Sequence, residues 1–78
     1  MGVTIKYYGM LADHTGCAAE CIEDYSGTAG ALLNQLEHKY PGLKAMSFQM
    51  AHGSSVITEL ESLQGNEELA LLPPFAGG

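Results

Sequence analysis

Apolar residues at Val3, Ile5 and Tyr7 alternate with Thr4, Lys6 and Tyr8, the two-residue period of a strand with one face on a core. Gly9 closes that run, and Met10–Thr15 has room only for a turn or a single helical turn ending at Gly16. A second strand is expected over Ala19–Tyr25, where Cys21 with Tyr25, and alternatively Ile22, compete for the inward positions. The period then changes. Ser26-Gly27-Thr28 offers a turn and an N-cap, and Ala29, Leu32, Leu33, Leu36 and Tyr40 fall at helical spacing. His38 and Lys39 suit the negative end of that helix dipole, and Pro41-Gly42 stops the helix.

Between Met46 and Thr58 the pattern predicts a hairpin, with Phe48 and Met50 before His52-Gly53-Ser54 and Val56-Ile57 after it. Glu59 to Asn66 reads as a polar connection anchored inward by Leu63, with turn chemistry at Gly65-Asn66. Glu68 to Leu72 is then nearly all apolar, as a central strand is. The predicted order is β-β-α-β-β-β: an α+β domain over residues 1–72, with a mixed sheet packed against one main helix. No repeat or low-complexity stretch interrupts it.

Composition narrows the function classes. The 78 residues hold three Lys, no Arg and nine Asp plus Glu, a formal charge of −6. Nucleic-acid binders displace phosphate counterions with clustered basic residues, so nucleic acid is not an expected partner. A chain this short buries only roughly 60% of its unfolded surface, which leaves its apolar residues to one core. The longest apolar run, Leu69-Ala70-Leu71-Leu72, is far short of the roughly 20 residues of a membrane span. Met1–Lys6 lacks the pattern of a secretory signal, so a cytoplasmic protein with protein partners is expected. Cys17 and Cys21 do not have CxxC spacing, and reduced thiols are the expectation. On one strand both sulfurs would share a face. A metal site built from them and one of His14, His38 or His52 has no support from spacing, and no metal or intrinsic cofactor is expected.

The distinctive chemistry lies in the tail, Pro73-Pro74-Phe75-Ala76-Gly77-Gly78. Two prolines remove consecutive backbone donors and favour an extended geometry, so the sheet cannot run through them. Six extended residues reach at most about 20 Å, enough to carry a carboxylate into a pocket of another protein. Glycines without Cβ atoms pass channels that exclude larger side chains. Phe75 beside such a terminus calls for cover by a partner, and Leu72 divides between core and docking contact.

These residues resemble a known family. Leu71-Leu72-Pro73-Pro74-Phe75-Ala76-Gly77-Gly78 is similar to the PP-x-x-GG ending of the MoaD/ThiS ubiquitin-like sulfur carriers, closest to the small subunit of molybdopterin synthase (MoaD). The likeness extends to Tyr7-Tyr8-Gly9, the Leu11 turn, Leu32-Leu33 and Leu63-x-Gly65-x-Glu67. Where many relatives carry an Arg-Glu pair this chain has Ala12-Asp13, and His52 and Asn66 replace a usual Asn and Asp. The resemblance implies a β-grasp fold and a carrier that is not itself a catalyst. It implies that an E1-like enzyme of the MoeB/ThiF type uses ATP to adenylate Gly78, and that a sulfur-donating enzyme then makes a thiocarboxylate there. Gly77 and Ala76 would insert behind it, and Leu72, Pro73, Pro74 and Phe75 would dock. The large synthase subunit (MoaE type) would receive the sulfur for molybdopterin, the molybdenum cofactor's organic part.

Other fates of the same terminus are a carrier role in thiamine, cysteine or tRNA thiolation, a ubiquitin-like modifier, and an interaction module with an inert tail. Glu59, Glu61, Glu67 and Glu68 could steer a basic partner or form a solvated face. His14 with Ser54-Ser55 lacks a nucleophile elbow, and Gly27-x-x-Gly30 lacks the Lys-Ser/Thr ending of a phosphate loop.

Overall fold

The alternation of Val3, Ile5 and Tyr7 is realised in strand β1 (Gly2–Tyr7), which buries all three while Lys6 points to solvent. The computed structural model describes residues 2–73. After β1 come helix α1 (Met10–Thr15), β2 (Ala19–Glu23), β3 (Gly27–Thr28), helix α2 (Ala29–Lys39) and a 3-10 turn (Leu43–Ala45). Then follow β4 (Gln49–His52), β5 (Ser55–Ile57), β6 (Ser62–Leu63) and β7 (Glu68–Leu72).

The main sheet has the order β2-β1-β7-β4-β5. β7 lies at its centre, parallel to β1 (Tyr7 beside Leu71) and antiparallel to β4 (Met50 beside Leu71). This is the mixed β-grasp sheet expected, with one main helix over one face. Along α2, Ala29, Leu32, Leu33 and Leu36 recur on a single side and join Val3, Ile5, Tyr7, Leu69 and Leu71 in one buried cluster. The Thr28 hydroxyl accepts from the Ala31 N–H at 3.2 Å, which caps the helix as the sequence suggested.

Several expectations are corrected. The second strand stops at Glu23 because Asp24 takes a left-handed backbone, φ 58°. Within it Ile22 is the half-buried residue packed on the core, while Cys21 faces out. Tyr25 packs on the core from the following loop, its hydroxyl donating to the Thr28 carbonyl at 2.7 Å. The two sulfurs do not share a face, because Cys17 precedes the strand: its Sγ lies 3.9 Å from the Tyr40 hydroxyl. The polar connection also hides structure. Ser62–Leu63 pairs antiparallel with Gly27–Thr28 as a second, two-stranded sheet. The Glu67 carboxylate then accepts from the N–H groups of Gln64 (2.6 Å), Gly65 (2.9 Å) and Asn66 (3.1 Å). Gly65 is required there: its φ is +110°, and a Cβ would stand 2.8 Å from the Tyr25 carbonyl oxygen.

Glu20 ties β2 to β1 and to the end of α2. Its carboxylate accepts from the hydroxyls of Tyr7 (2.8 Å) and Tyr40 (2.6 Å) and from Lys39 Nζ (2.6 Å). The two tyrosine rings meet edge to face, 6.1 Å between centroids. Burial pushes the Glu20 carboxyl upward, but the hydrogen bonds from Lys39, Tyr40 and Tyr7 outweigh it and hold the group below the ordinary carboxylate range. Burial and the Glu20 hydrogen bond push Tyr7 far upward in turn, so the phenol stays a donor.

Candidate functional site: the root of the tail

A central strand delivers whatever follows it from the middle of the sheet's end, between neighbours on both sides. Here those neighbours are Tyr8-Gly9, just after β1, and Gln49 at the start of β4, which sits beside Leu72. The Tyr8 N–H donates to the Leu71 carbonyl at 3.2 Å, extending the parallel pairing to the last turn of the ladder. Pro73 then lies against Gly9, whose φ is +60° and where an added Cβ would come 3.2 Å from Pro73 Cγ. Any larger residue at Gly9 would be both strained and crowded against the tail's first proline. The Gly9 carbonyl accepts from Ala12 and Asp13, which fixes α1 to the same corner.

Alternation within β7 sets the roles of its last residues. Leu69 and Leu71 are buried under α2, whereas Ala70 and Leu72 face the side that no helix covers. Leu72 is therefore half-buried on the open face rather than core. Register places Thr4 and Lys6 of β1, Ala51 and Gln49 of β4, and Val56 of β5 on that face. Tyr8, Ala51 and Ala70 with Lys6 line a shallow trough there of about 580 Å³. Tyr8 is 44% and Val56 66% exposed, so the open face carries apolar surface without a partner among the described residues. On the other side of Pro73, Met10, Leu11, Met46 and Ser47 wall a notch of about 100 Å³.

Of the tail residues singled out from the sequence, Leu72 and Pro73 are at this root. Pro74, Phe75, Ala76, Gly77 and Gly78 lie outside the described residues. The acidic residues separate. Glu68 pairs with Lys6 at 2.7 Å and Glu67 caps its loop, while Glu59 and Glu61 flank the 85% exposed Leu60. The other titratable candidates do not converge. His14 Nε2 contacts the Pro41 carbonyl at 3.0 Å beside α1, and Ser54-Ser55 belong to the hairpin at the opposite end of the sheet, next to Leu69. No three His, Cys, Asp or Glu side chains are grouped to hold a metal among the described residues. The Cys21 thiol donates to Glu23 at 3.2 Å, and that hydrogen bond raises its pKa, the reverse of an activated thiolate.

The model of the ThiS family matches residues 5–78, from the fourth residue of the first strand through the Gly-Gly ending. The chain belongs to the ThiS family. These are ubiquitin-like sulfur carriers and modifiers, small proteins that are generally not catalysts. No curated protein matches the sequence. Among solved structures, the small archaeal modifier protein 1 of Haloferax volcanii is similar at 22% identity over 100% of both chains, TM-score 0.81. A protein assigned as molybdopterin converting factor subunit 1 from Pyrococcus furiosus is similar at 17% identity, covering 96% of this chain and 99% of that one, TM-score 0.85. The Amycolatopsis orientalis BexX/CysO complex contains a chain similar at 20% identity, covering 97% and 99%, TM-score 0.75. At these identities the structures speak to the β-grasp fold of this ThiS-family chain, and the family match speaks to its class. Neither Gly9 nor the Met10–Met46 notch was singled out from the sequence; the only signal was the Tyr7-Tyr8-Gly9 run.

Proposed function

We propose that this ThiS-family chain carries sulfur as a thiocarboxylate on Gly78 and donates it in molybdopterin synthesis, as the small subunit of a molybdopterin synthase. The observation that carries the reading is the tail root: a Pro-Pro-x-x-Gly-Gly segment issuing from the central strand, beside exposed apolar side chains. The Pro73-Pro74 spacer of the PP-x-x-GG ending is what supports this acceptor among the alternatives, and a molybdopterin converting factor subunit is one of several chains that share the fold.

The chemistry follows from the carboxylate. It is ionised at neutral pH and a poor electrophile. An E1-like enzyme of the MoeB/ThiF type would let a Gly78 oxygen attack the α-phosphorus of ATP, releasing pyrophosphate. A sulfide equivalent from the sulfur-donating enzyme then displaces AMP and leaves the thiocarboxylate. In the large subunit, of MoaE type, the thiocarboxylate sulfur would bond to the acceptor, and water would then cleave the acyl carbon–sulfur bond, leaving the sulfur on the acceptor and an oxygen of water in the restored carboxylate. ATP is the activating enzyme's substrate, and the carrier contributes position only: Gly77 and Ala76 as a slender neck, Leu72, Pro73, Pro74 and Phe75 as docking contacts.

The test is intact-mass analysis after incubation with the cognate adenylating enzyme, ATP and a sulfur source. Exchange of oxygen for sulfur has nearly the mass of one oxidation, and four Met and two Cys are present. The product is therefore trapped by selective alkylation and located by fragmentation. A trapped adduct on Gly78, absent when Gly78 is deleted, supports the reading; a folded protein that yields none overturns it. A second reading, a protein modifier, is favoured by the likeness to the archaeal modifier. It predicts higher-mass conjugates on target lysines in cells, which a carrier does not form.

A further inference from the structure

Among the described residues, the open face is not the only apolar surface at the root without a partner. We infer that the notch walled by Met10, Leu11, Met46, Ser47 and Pro73 seats one apolar side chain of the adenylating enzyme that activates Gly78, gripping the tail at its first proline. The inference rests on the carrier reading and adds a specificity contact to it.

Pro73 is both a wall of the notch and the first residue of the tail. Five residues follow it, so fully extended they span at most about 17 Å. An enzyme holding Gly78 in its reactive centre must bring its surface within that distance of the notch, which makes it the occupant with a geometric claim. The lining fits an aliphatic guest. None of the five residues is charged, the cavity of about 100 Å³ suits one side chain of leucine or methionine size, and two methionines supply adaptable walls. Met10 is 71% exposed, so its burial is left for a partner to gain. The notch is also held in shape. Gly9, against Pro73, accepts from Ala12 and Asp13, and Met46 N–H donates to the Leu43 carbonyl at 3.0 Å. A pre-shaped pocket loses little freedom on binding.

The test uses the full chain, its cognate adenylating enzyme and ATP, with pyrophosphate release followed as carrier concentration varies. Ser47→Leu, at an exposed position, fills the notch, and Met10→Gln makes its wall polar. Ser47→Leu should raise KM about tenfold with kcat changed less than about twofold, and Met10→Gln should raise KM less. Leu60→Gln, in the distant Glu59–Glu61 loop, should change neither, and all three should melt with the parent. If the parent is turned over and both notch variants match it, the notch is no anchor and the carrier reading stands. If the parent releases no pyrophosphate, both fall together. Two other occupants would also overturn the inference. Phe75→Ala shifting the Met10 and Met46 methyl resonances of the free protein would assign the notch to the chain's own tail. A dimer dissolved by Ser47→Leu would assign it to a second copy.

Discussion

The two faces of the central strand β7 have opposite fates. On one, Leu69 and Leu71 disappear beneath α2 at 1% exposure each. On the other, Ala70 and Leu72 lie among Tyr8, Ala51 and Val56 with no layer above them among the described residues. The covered face answers to the energetics of a small domain, which must bury what it can. The open face is free of that duty, and its apolar residues lie next to the root of the segment proposed above to carry the sulfur. A substitution on one side should therefore register in stability, and on the other in recognition.

The covered face breaks first and hardest. Leu36→Ala removes a fully buried side chain and should cost about 2–5 kcal/mol, read from chemical denaturation. Next comes the Glu20 latch, where Glu20→Gln keeps the shape but removes the charge that three donors satisfy; about 1–3 kcal/mol should be lost at neutral pH. Its sign with pH is fixed. The folded carboxyl titrates below its ordinary 4.5, so its contribution is complete above that value and is lost as pH falls through the folded value. The melting temperature of Glu20→Gln should consequently fall less steeply than the parent's across that acidic window. Thr28→Ala, which deletes the cap on Ala31, should cost about 1 kcal/mol in the same denaturation assay. On the open face, Lys6→Gln breaks the exposed pair with Glu68 and should have the smallest effect on stability of the series, one that fades with added salt.

Periodicity made most of this legible. The alternation of Val3, Ile5 and Tyr7 and the helical spacing from Ala29 to Leu36 each bury one side of a regular element, so they appear in sequence as a pattern. The hairpin was equally readable from His52-Gly53-Ser54 between apolar pairs, and Gly53 does turn with φ +65°. What stayed hidden is held by contacts without a period. The β3–β6 pair is two residues long on each side, below the length at which alternation can be seen. Glu20 looks like any charged residue until Tyr7, Lys39 and Tyr40 converge on it from distant positions. The competition between Cys21 and Ile22 was decided by register with β1, where Ile22 pairs with Val3. Of the candidate site, Leu72 and Pro73 were singled out from the sequence and stand at the tail's root, while the terminal glycines lie outside the described residues. Gly9 and the notch were not singled out, because their meaning arises only when β1 and β7 lie parallel and bring residues 9 and 73 together.

Leu71 and Leu72 are adjacent in the chain and differ only in which face of β7 they occupy, so they test the division directly. The measurement is a paired one: unfolding free energy, and the KM for the carrier in adenylation by its cognate enzyme, for Leu71→Ala and Leu72→Ala. Leu71→Ala should lose about 2–5 kcal/mol of stability, with KM unchanged at temperatures where it is folded. Leu72→Ala should lose far less stability and raise KM. Equal stability losses with no change in KM would contradict the assignment of the open face to recognition.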